Sequence, residues 1–224
     1  MKIVVCLSPS RGAGETSLLG LDDAHALSLA LELGGAHAVT VMLAGPAADE
    51  GPLRRALSAG AARAVRLVGG DFGEADFHTL GQALGTGIKR IGADLVLIGA
   101  RSEDDGLGAV PAVVARHVGA LHVACIERLA AADGGVEISV RGGGRRRRLR
   151  LPLPAVLSVV ARGPDMPALP ETPVGSPAIE VLSLVDPEAT VVRRRTELLG
   201  QPELPRRATE EVTSADALVT ALLT

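Results

Sequence analysis

Short, almost wholly apolar runs alternate along this chain with longer stretches in which apolar residues recur every three or four positions. The short runs are KIVVCL, AVTVMLA, RAVRLV and DLVLIGA. Around them lie DDAHALSLALEL, EGPLRRALSAG, FHTLGQALGTGIKRIG and AVPAVVARHVG. A strand covered on both faces needs no polar side, whereas a crossover helix needs only one apolar stripe. This rhythm therefore predicts a parallel sheet with helices on both faces, an α/β class. The punctuation agrees. Asp22 and Asp23 precede Ala24, Leu27 and Leu31 at helical spacing, and Gly34-Gly35 follows as a stop.

From about residue 121 the pattern changes. LHVACIERLAAADGGVEISVRGGGRRRRLRLPLPAVLSVV contains strand-like runs separated by Asp-Gly-Gly and by a glycine triplet, which predicts a hairpin leading to another core strand. Beyond Val160, ARGPDMPALPETPVGSPAIEV is dense in proline and glycine and is expected to be an extended loop or arm. After it come one strand-like patch at Ala189–Val192 and a short final helix from Ser214. The chain thus divides into an α/β domain with hairpin strands (residues 1–160) and an extended C-terminal arm (161–224). That arm is too thin to fold alone and is expected to wrap the main domain or a partner.

Composition narrows the function. Hydrophobic residues make up 47% of the 224 positions but aromatic ones only 1%, Phe72 and Phe77 with no Trp or Tyr. So little ring surface argues against a platform for single-stranded nucleic acid, and a net charge of -3 supplies no global field to attract a polyanion. No apolar run approaches the roughly 20 residues of a membrane-spanning helix, and MKIVVCLSPS reads as a strand rather than a signal peptide, so membrane insertion is not expected and a cytoplasmic location is. Cys6 and Cys125 both fall in apolar strand-like runs and are expected to be buried, reduced thiols.

The candidate chemistry sits at the ends of strands. Open parallel sheets bind ligands outside their carboxyl edge, where helix N-termini present unpaired amides. Three loops converge there: Cys6–Gly14, Ala44–Ala48 and Gly99–Val110. RGAGETS in the first lacks the lysine of a phosphate loop, and its glycines miss the dinucleotide fingerprint. In the third, Gly99 allows close backbone approach. Asp104 and Asp105 either cap the next helix or accept from ribose hydroxyls. The amides of Gly106, Gly108, Ala109 and Val110 precede Pro111, which opens the helix without a donor of its own, and are the expected phosphate ligands. The five histidines are scattered with no metal-ligand spacing, and no G-x-S-x-G elbow occurs, so binding rather than turnover is expected, with no catalytic residue and no metal.

With these segments in view, the chain resembles the β subunit of electron transfer flavoproteins. The resemblance rests on KIVVCL, on GPLRRALSAGAARAVRLV against the family's Ala-Leu-x-x-Gly-Ala-x-Arg segment, and on ADLVLIGARSEDD against its Asp-Leu-Val-Leu-x-Gly loop with acids. LRLPLPAVLSV is similar to the family's Leu-Pro-Ala-Val strand, PALP to the start of its partner-recognition loop, and EEVTSADALVTALL to its C-terminal helix. It implies a three-layer, adenine nucleotide alpha hydrolase-like fold. It further implies a heterodimer with an α subunit that carries most of the FAD contacts, an AMP or a second FAD in the β subunit, and electron transfer from a dehydrogenase to a further acceptor. By motif the nucleotide would meet Cys6, Ala44, Gly99, Asp104, Asp105, Gly106, Gly108, Ala109 and Val110, and Leu169 would anchor a redox partner.

There are departures from the family pattern. Asn-Gln-Thr after the acids reads Gly108-Ala109-Val110 here, which leaves main-chain amides alone to meet phosphate. The stretch before the first helix reads LGLDD, the loop after the first strand is shortened to SPSRGAGETSL, and ETPVGSP replaces a lysine-rich loop after Leu169-Pro170. The altered charges imply a redox partner other than an acyl-CoA dehydrogenase. Arg147, in the run from Arg145 to Arg148, stands where the family carries an acid. The rival expectation is a universal-stress-protein-like nucleotide module, whose Gly-x2-Gly-x9-Gly-Ser/Thr loop GARSEDDGLGAVPAVVA does not supply. An ATP-pyrophosphatase relative would need Ser-Gly-Gly-x-Asp-Ser where CLSPSRGAGETS stands.

Overall fold

The computed structural model describes residues 1–11, 17–33, 39–70, 72, 75–101, 106–161, 169, 178–184 and 214. In chain order the elements are β1 (Ile3–Cys6), β2 (Pro9–Arg11), β3 (Ser17–Leu19), α1 (Leu21–Leu33), β4 (Val39–Ala44), α2 (Gly51–Ser58), β5 (Arg63–Val68), α3 (Phe77–Ile91), β6 (Leu95–Gly99), α4 (Val110–Val118), β7 (Leu121–Ala132), β8 (Gly135–Gly142), β9 (Arg145–Pro152), β10 (Ala155–Val159) and β11 (Glu180–Ser183). Nine strands form one sheet in the order β11-β5-β4-β1-β6-β10-β7-β8-β9. Its neighbours are parallel except for the antiparallel ribbon β7-β8-β9.

Alternation along each central strand divides the core into two layers. Ile3, Val5, Val41, Leu95 and Leu97 face α1 and α2, where Leu27, Ala30, Leu53 and Ala56 meet them. Val4, Cys6, Met42, Val96 and Ile98 face α3 and α4, against Leu84, Ile88 and Val114. This is the expected three-layer α/β arrangement.

Small residues set the spacing of the second layer. A Cβ on Gly81 would lie 2.6 Å from the Val113 Cβ, and one on Gly85 would lie 2.7 Å from the His117 Cδ2, so α3 packs against α4 almost backbone to side chain. The His117 ring is held in place by Thr86, whose Oγ1 is 3.2 Å from its Nε2. Gly85→Ala is therefore expected to lower stability in urea unfolding by up to about 2 kcal/mol. Alanine's helix preference gains roughly 1 kcal/mol over glycine, and overpacking costs roughly 1–3 kcal/mol. A raised unfolding midpoint would show that the helices are not so closely apposed.

The ribbon follows its turn residues. Asp133-Gly134 and Gly143-Gly144 make two-residue turns, with positive φ at Gly134 (72°) and, as the tightest hairpins demand, at both Gly143 (57°) and Gly144 (72°). Among the arginines of β9, Arg146 meets Glu127 at 3.3 Å, and Arg148 and Arg150 meet Glu137 at 3.5 and 3.7 Å.

Two features depart from expectation. Cys125 is exposed rather than buried. Leu157 pairs with Val123 but Val159 with Ile126, so two residues of β7 bulge opposite Ser158. Cys125 takes φ 56° there, and its amide donates to the Ser158 Oγ at 3.0 Å. The bulge turns the side chain out of the core despite its apolar neighbours. Secondly, part of the stretch expected to be an arm is a strand: β11 adds in parallel to β5 at the far edge, and Arg63 fixes it through Glu180 at 2.6 Å. The strand-like patch at Ala189–Val192 and all of the final helix but Ser214 lie outside the described residues.

Candidate functional site

The chain leaves β1 toward β4 on one side and later returns to place β6 on the other, so the strand order reverses at β1. Helices then diverge to opposite faces and leave a crevice beyond the carboxyl ends of these strands. A cavity of about 300 Å³ occupies that position. Of the residues singled out from sequence, Cys6, Ala44, Gly99, Gly108, Ala109 and Val110 line it. Gly106 lies beside the lining, exposed, with φ 64°. Asp104 and Asp105 fall outside the described residues.

The strand tips are tied together by the two acids at the start of α1. Asp23, 5% exposed, accepts from the Ser8 amide at 2.7 Å through Oδ2 and from the Gly99 amide at 2.9 Å through Oδ1. Asp22 accepts from the Ala161 amide at 2.7 Å and the Arg101 amide at 3.2 Å. One consecutive pair thus joins the ends of β1, β6 and β10. Gly99 is required by this clasp, because a Cβ there would overlap the Asp23 Oδ1. The close approach expected at Gly99 is therefore made by a side chain of the same chain.

The lining is chemically graded. Cys6, Ala44 and Ile98 supply an apolar floor. Burial pushes the Cys6 thiol far up, and the Asp23 carboxylate adds to the effect, so at neutral pH Cys6 is a small apolar group and not a nucleophile. At one side Ala109 caps α4, with proline in the first turn, and the first amides of a helix lack intrahelical acceptors. Arg101 stands on the rim, its guanidinium 3.9 Å from Asp22.

Three further lining residues were not anticipated. Asp49, 8% exposed, closes the loop after β4, and its carboxylate meets no donor among the described residues. The carboxylate therefore keeps its acceptor capacity open toward the cavity. Phe72 and Phe77, the chain's two aromatic residues, both line the cavity. Their scarcity argues against an extended stacking platform, but pattern alone does not show that both rings meet in one place. The sequence signal for Asp49 is an acid in the loop after the strand next to β1, a position from which ribose hydroxyls are often held in nucleotide folds.

Leu169 lies elsewhere. It is half-buried against the α1/α2 layer, and its carbonyl accepts from the Arg55 guanidinium at 3.0 Å. Among the described residues no group of His, Cys, Asp and Glu could hold a metal ion, and no helix is long and apolar enough to cross a membrane.

Comparison with known proteins accords with this architecture. The electron transfer flavoprotein domain model matches residues 17–187. The chain is 34% identical over 147 residues to electron transfer flavoprotein subunit beta of Clostridium acetobutylicum, covering 58% of this chain and 56% of that protein. It is 29% identical over 157 residues to protein FixA of Azorhizobium caulinodans, 66% of this chain and 56% of that one. Electron transfer flavoprotein subunit beta of Mycobacterium tuberculosis is 34% identical over 122 residues, 54% of this chain and 46% of that one. The chain spans about half the length of the curated relatives it matches. With a domain match over most of its length and relatives named as beta subunits, the chain belongs to the electron transfer flavoprotein family and is beta-subunit-like.

Proposed function

We propose that this chain is the nucleotide-holding half of an electron transfer flavoprotein, pairing with an α subunit that carries FAD and passing electrons from a dehydrogenase to a further acceptor. The observation that supports it most is the cavity at the strand-order reversal, which Asp49, two aromatic rings and the amide-rich start of α4 line together. These groups fit the parts of an adenylate. Phe72 and Phe77 offer faces to the base, Asp49 accepts from ribose hydroxyls, and the amides of Gly108, Ala109 and Val110 with Arg101 receive the phosphate. About 300 Å³ is at the lower end of small-molecule pockets, roughly 300–1,000 Å³. The size favours AMP over FAD, which contains the same adenylate plus a flavin half. Asp104 and Asp105, on the same loop, remain candidates for ribose contacts, and Leu169 for contact with the redox partner.

In this reading FAD, when bound, supplies the electron-carrying chemistry, and this chain contributes binding and orientation without catalytic residues of its own. A cytoplasmic location belongs to the same proposal. The family match and the named relatives give the universal-stress alternative no support.

Co-expression with an α subunit from the same genome should give a yellow one-to-one complex. A chain that folds but elutes alone and colourless beside that α subunit would refute the pairing. The role of Asp49 has its own signature. Asp49→Ala should weaken AMP binding about 10- to 100-fold, the equivalent of roughly 1.5–3 kcal/mol for a hydrogen bond to a charged group. It should also abolish the preference for AMP over its 2′,3′-dideoxy analogue in calorimetric titration. Equal discrimination by both proteins would remove Asp49 from the ribose site.

A further inference from the structure

A second cavity, sharing no residue with the first, opens between α1 and the antiparallel ribbon. Its volume is about 740 Å³, and His25, Ser28 and Glu32 from α1 face Arg128, Ser139 and Arg148 across it. The ladder register aligns the last three in one row over three strands: Arg128 pairs with Ser139, and Ser139 with Arg148. Cross-strand neighbours have Cβ atoms roughly 4.5–5.5 Å apart on one face of the sheet, so two guanidiniums flank one hydroxyl.

That hydroxyl has no partner. Ser139 is 7% exposed, and its Oγ is buried without a hydrogen bond. Across the groove the His25 Nδ1 is also buried and unpartnered, while its Nε2 lies 3.4 Å from the Glu127 carbonyl. Buried polar atoms are rarely left so, and two of them belong to residues lining one groove. The neighbouring acids are already engaged. Glu32 accepts from Ser28 at 3.2 Å, and Glu137 holds Arg148 at 3.5 Å and Arg150 at 3.7 Å. Arg128 has no partner among the described residues. Charge is segregated in the same sense: residues 121–152 carry seven arginines against Glu127, Asp133 and Glu137, a net +4 on a chain of -3.

We infer that the row Arg128–Ser139–Arg148 is an oxyanion-binding site that receives a carboxylate or phosphate group. The guanidiniums supply charge-assisted donors and the serine hydroxyl a third, in a fork suited to planar or tetrahedral oxyanions. Leu29 of α1, which lines the same groove, gives the ligand an apolar neighbour. The oxyanion comes either from a small free anion or from an acidic segment of a polypeptide, and the test separates these sources.

The full chain is titrated with inorganic phosphate, with succinate and with a tetraglutamate peptide, and binding is read by calorimetry at low and at physiological salt. At least one probe should bind saturably. R128Q and S139A should each weaken it at least tenfold, and R116Q, which removes an exposed charge on α4, should leave it unchanged. Binding of phosphate or succinate assigns the site to a free anion, and binding of the peptide alone assigns it to an acidic segment. S139A replaces a hydroxyl that makes no hydrogen bond and preserves the fold, which circular dichroism verifies. No binding by any probe, or binding that R116Q weakens as much as R128Q does, overturns the inference. Because this groove and the nucleotide crevice share no residue, Asp49→Ala should not alter these titrations.

Discussion

Asp23→Ala should destabilise the chain by about 3 kcal/mol, lowering the thermal midpoint by roughly 6–12 °C for a domain of this size. The reason is local. The substitution removes a 95%-buried carboxylate and strands two main-chain donors at once, those of Ser8 and Gly99, where the tips of β1 and β6 meet. A buried donor left without an acceptor costs roughly 1–3 kcal/mol, more than the bond itself gains over water. Asp23→Asn retains an acceptor for one amide and turns a donor toward the other, so it should fall between wild type and alanine. Differential scanning calorimetry checks the order. An alanine variant within 1 kcal/mol of wild type would mean that the strand tips are held by something other than the clasp.

Gly108→Val should abolish nucleotide binding while sparing the fold, the second large effect expected. Gly108 has φ 62°, a region that β-branched residues avoid. A Cβ there would sit 2.6 Å from the Ala100 carbonyl oxygen, which belongs to the backbone and has no side-chain freedom with which to yield. The turn must therefore move, and with it the Ala109 and Val110 amides that open α4. Binding by a first-turn amide cluster depends on those groups pointing together, so AMP affinity should fall at least 100-fold. The same substitution at Gly106 provides the contrast. Its φ is also positive, 64°, but a Cβ there meets nothing within 4 Å, and Gly106 is not among the lining residues. Affinity should drop less at Gly106 than at Gly108. Equal losses would place the phosphate on the outer part of the loop.

Much of this architecture is legible in the sequence because a parallel sheet leaves a coarse imprint. Runs such as DLVLIGA have no polar face, helices such as FHTLGQALGTGIKRIG have one, and the order of the two gives the layers without any long-range information. The loops that meet at the carboxyl edge follow from that order, which is why Cys6, Ala44, Gly99 and the Gly108–Val110 amides are found around one hollow. What is hidden depends on pairings between residues distant along the chain. Asp22 and Asp23 look like ordinary helix-start acids, and only the fold shows that Asp22 reaches Arg101 and Ala161, 79 and 139 residues away, and Asp23 reaches Gly99, 76 residues away. Glu180–Ser183 lies in the aliphatic run AIEVLSLV, a strand signal that the proline-rich stretch before it obscures. Its place beside β5 is settled by an open sheet edge and by Arg63. Cys125 illustrates the limit of periodicity, since a single bulge opposite Ser158 reverses the burial that its apolar neighbours imply. Phe72 and Phe77 show the same for chemistry: composition counts the rings, and only the fold shows that they share a cavity.

The central claim is that the hollow beyond β1, β4 and β6 holds an adenylate. Its most direct test is mass spectrometry of the small molecules released on denaturing the full chain, purified with its co-expressed α subunit, beside the Gly108→Val protein prepared identically. The account predicts AMP in near one-to-one amount with the wild-type chain and its loss from the variant, with FAD retained by the α subunit in both. A folded wild-type complex that releases no adenylate beyond that FAD, or a variant that releases as much AMP as the wild type, would contradict it.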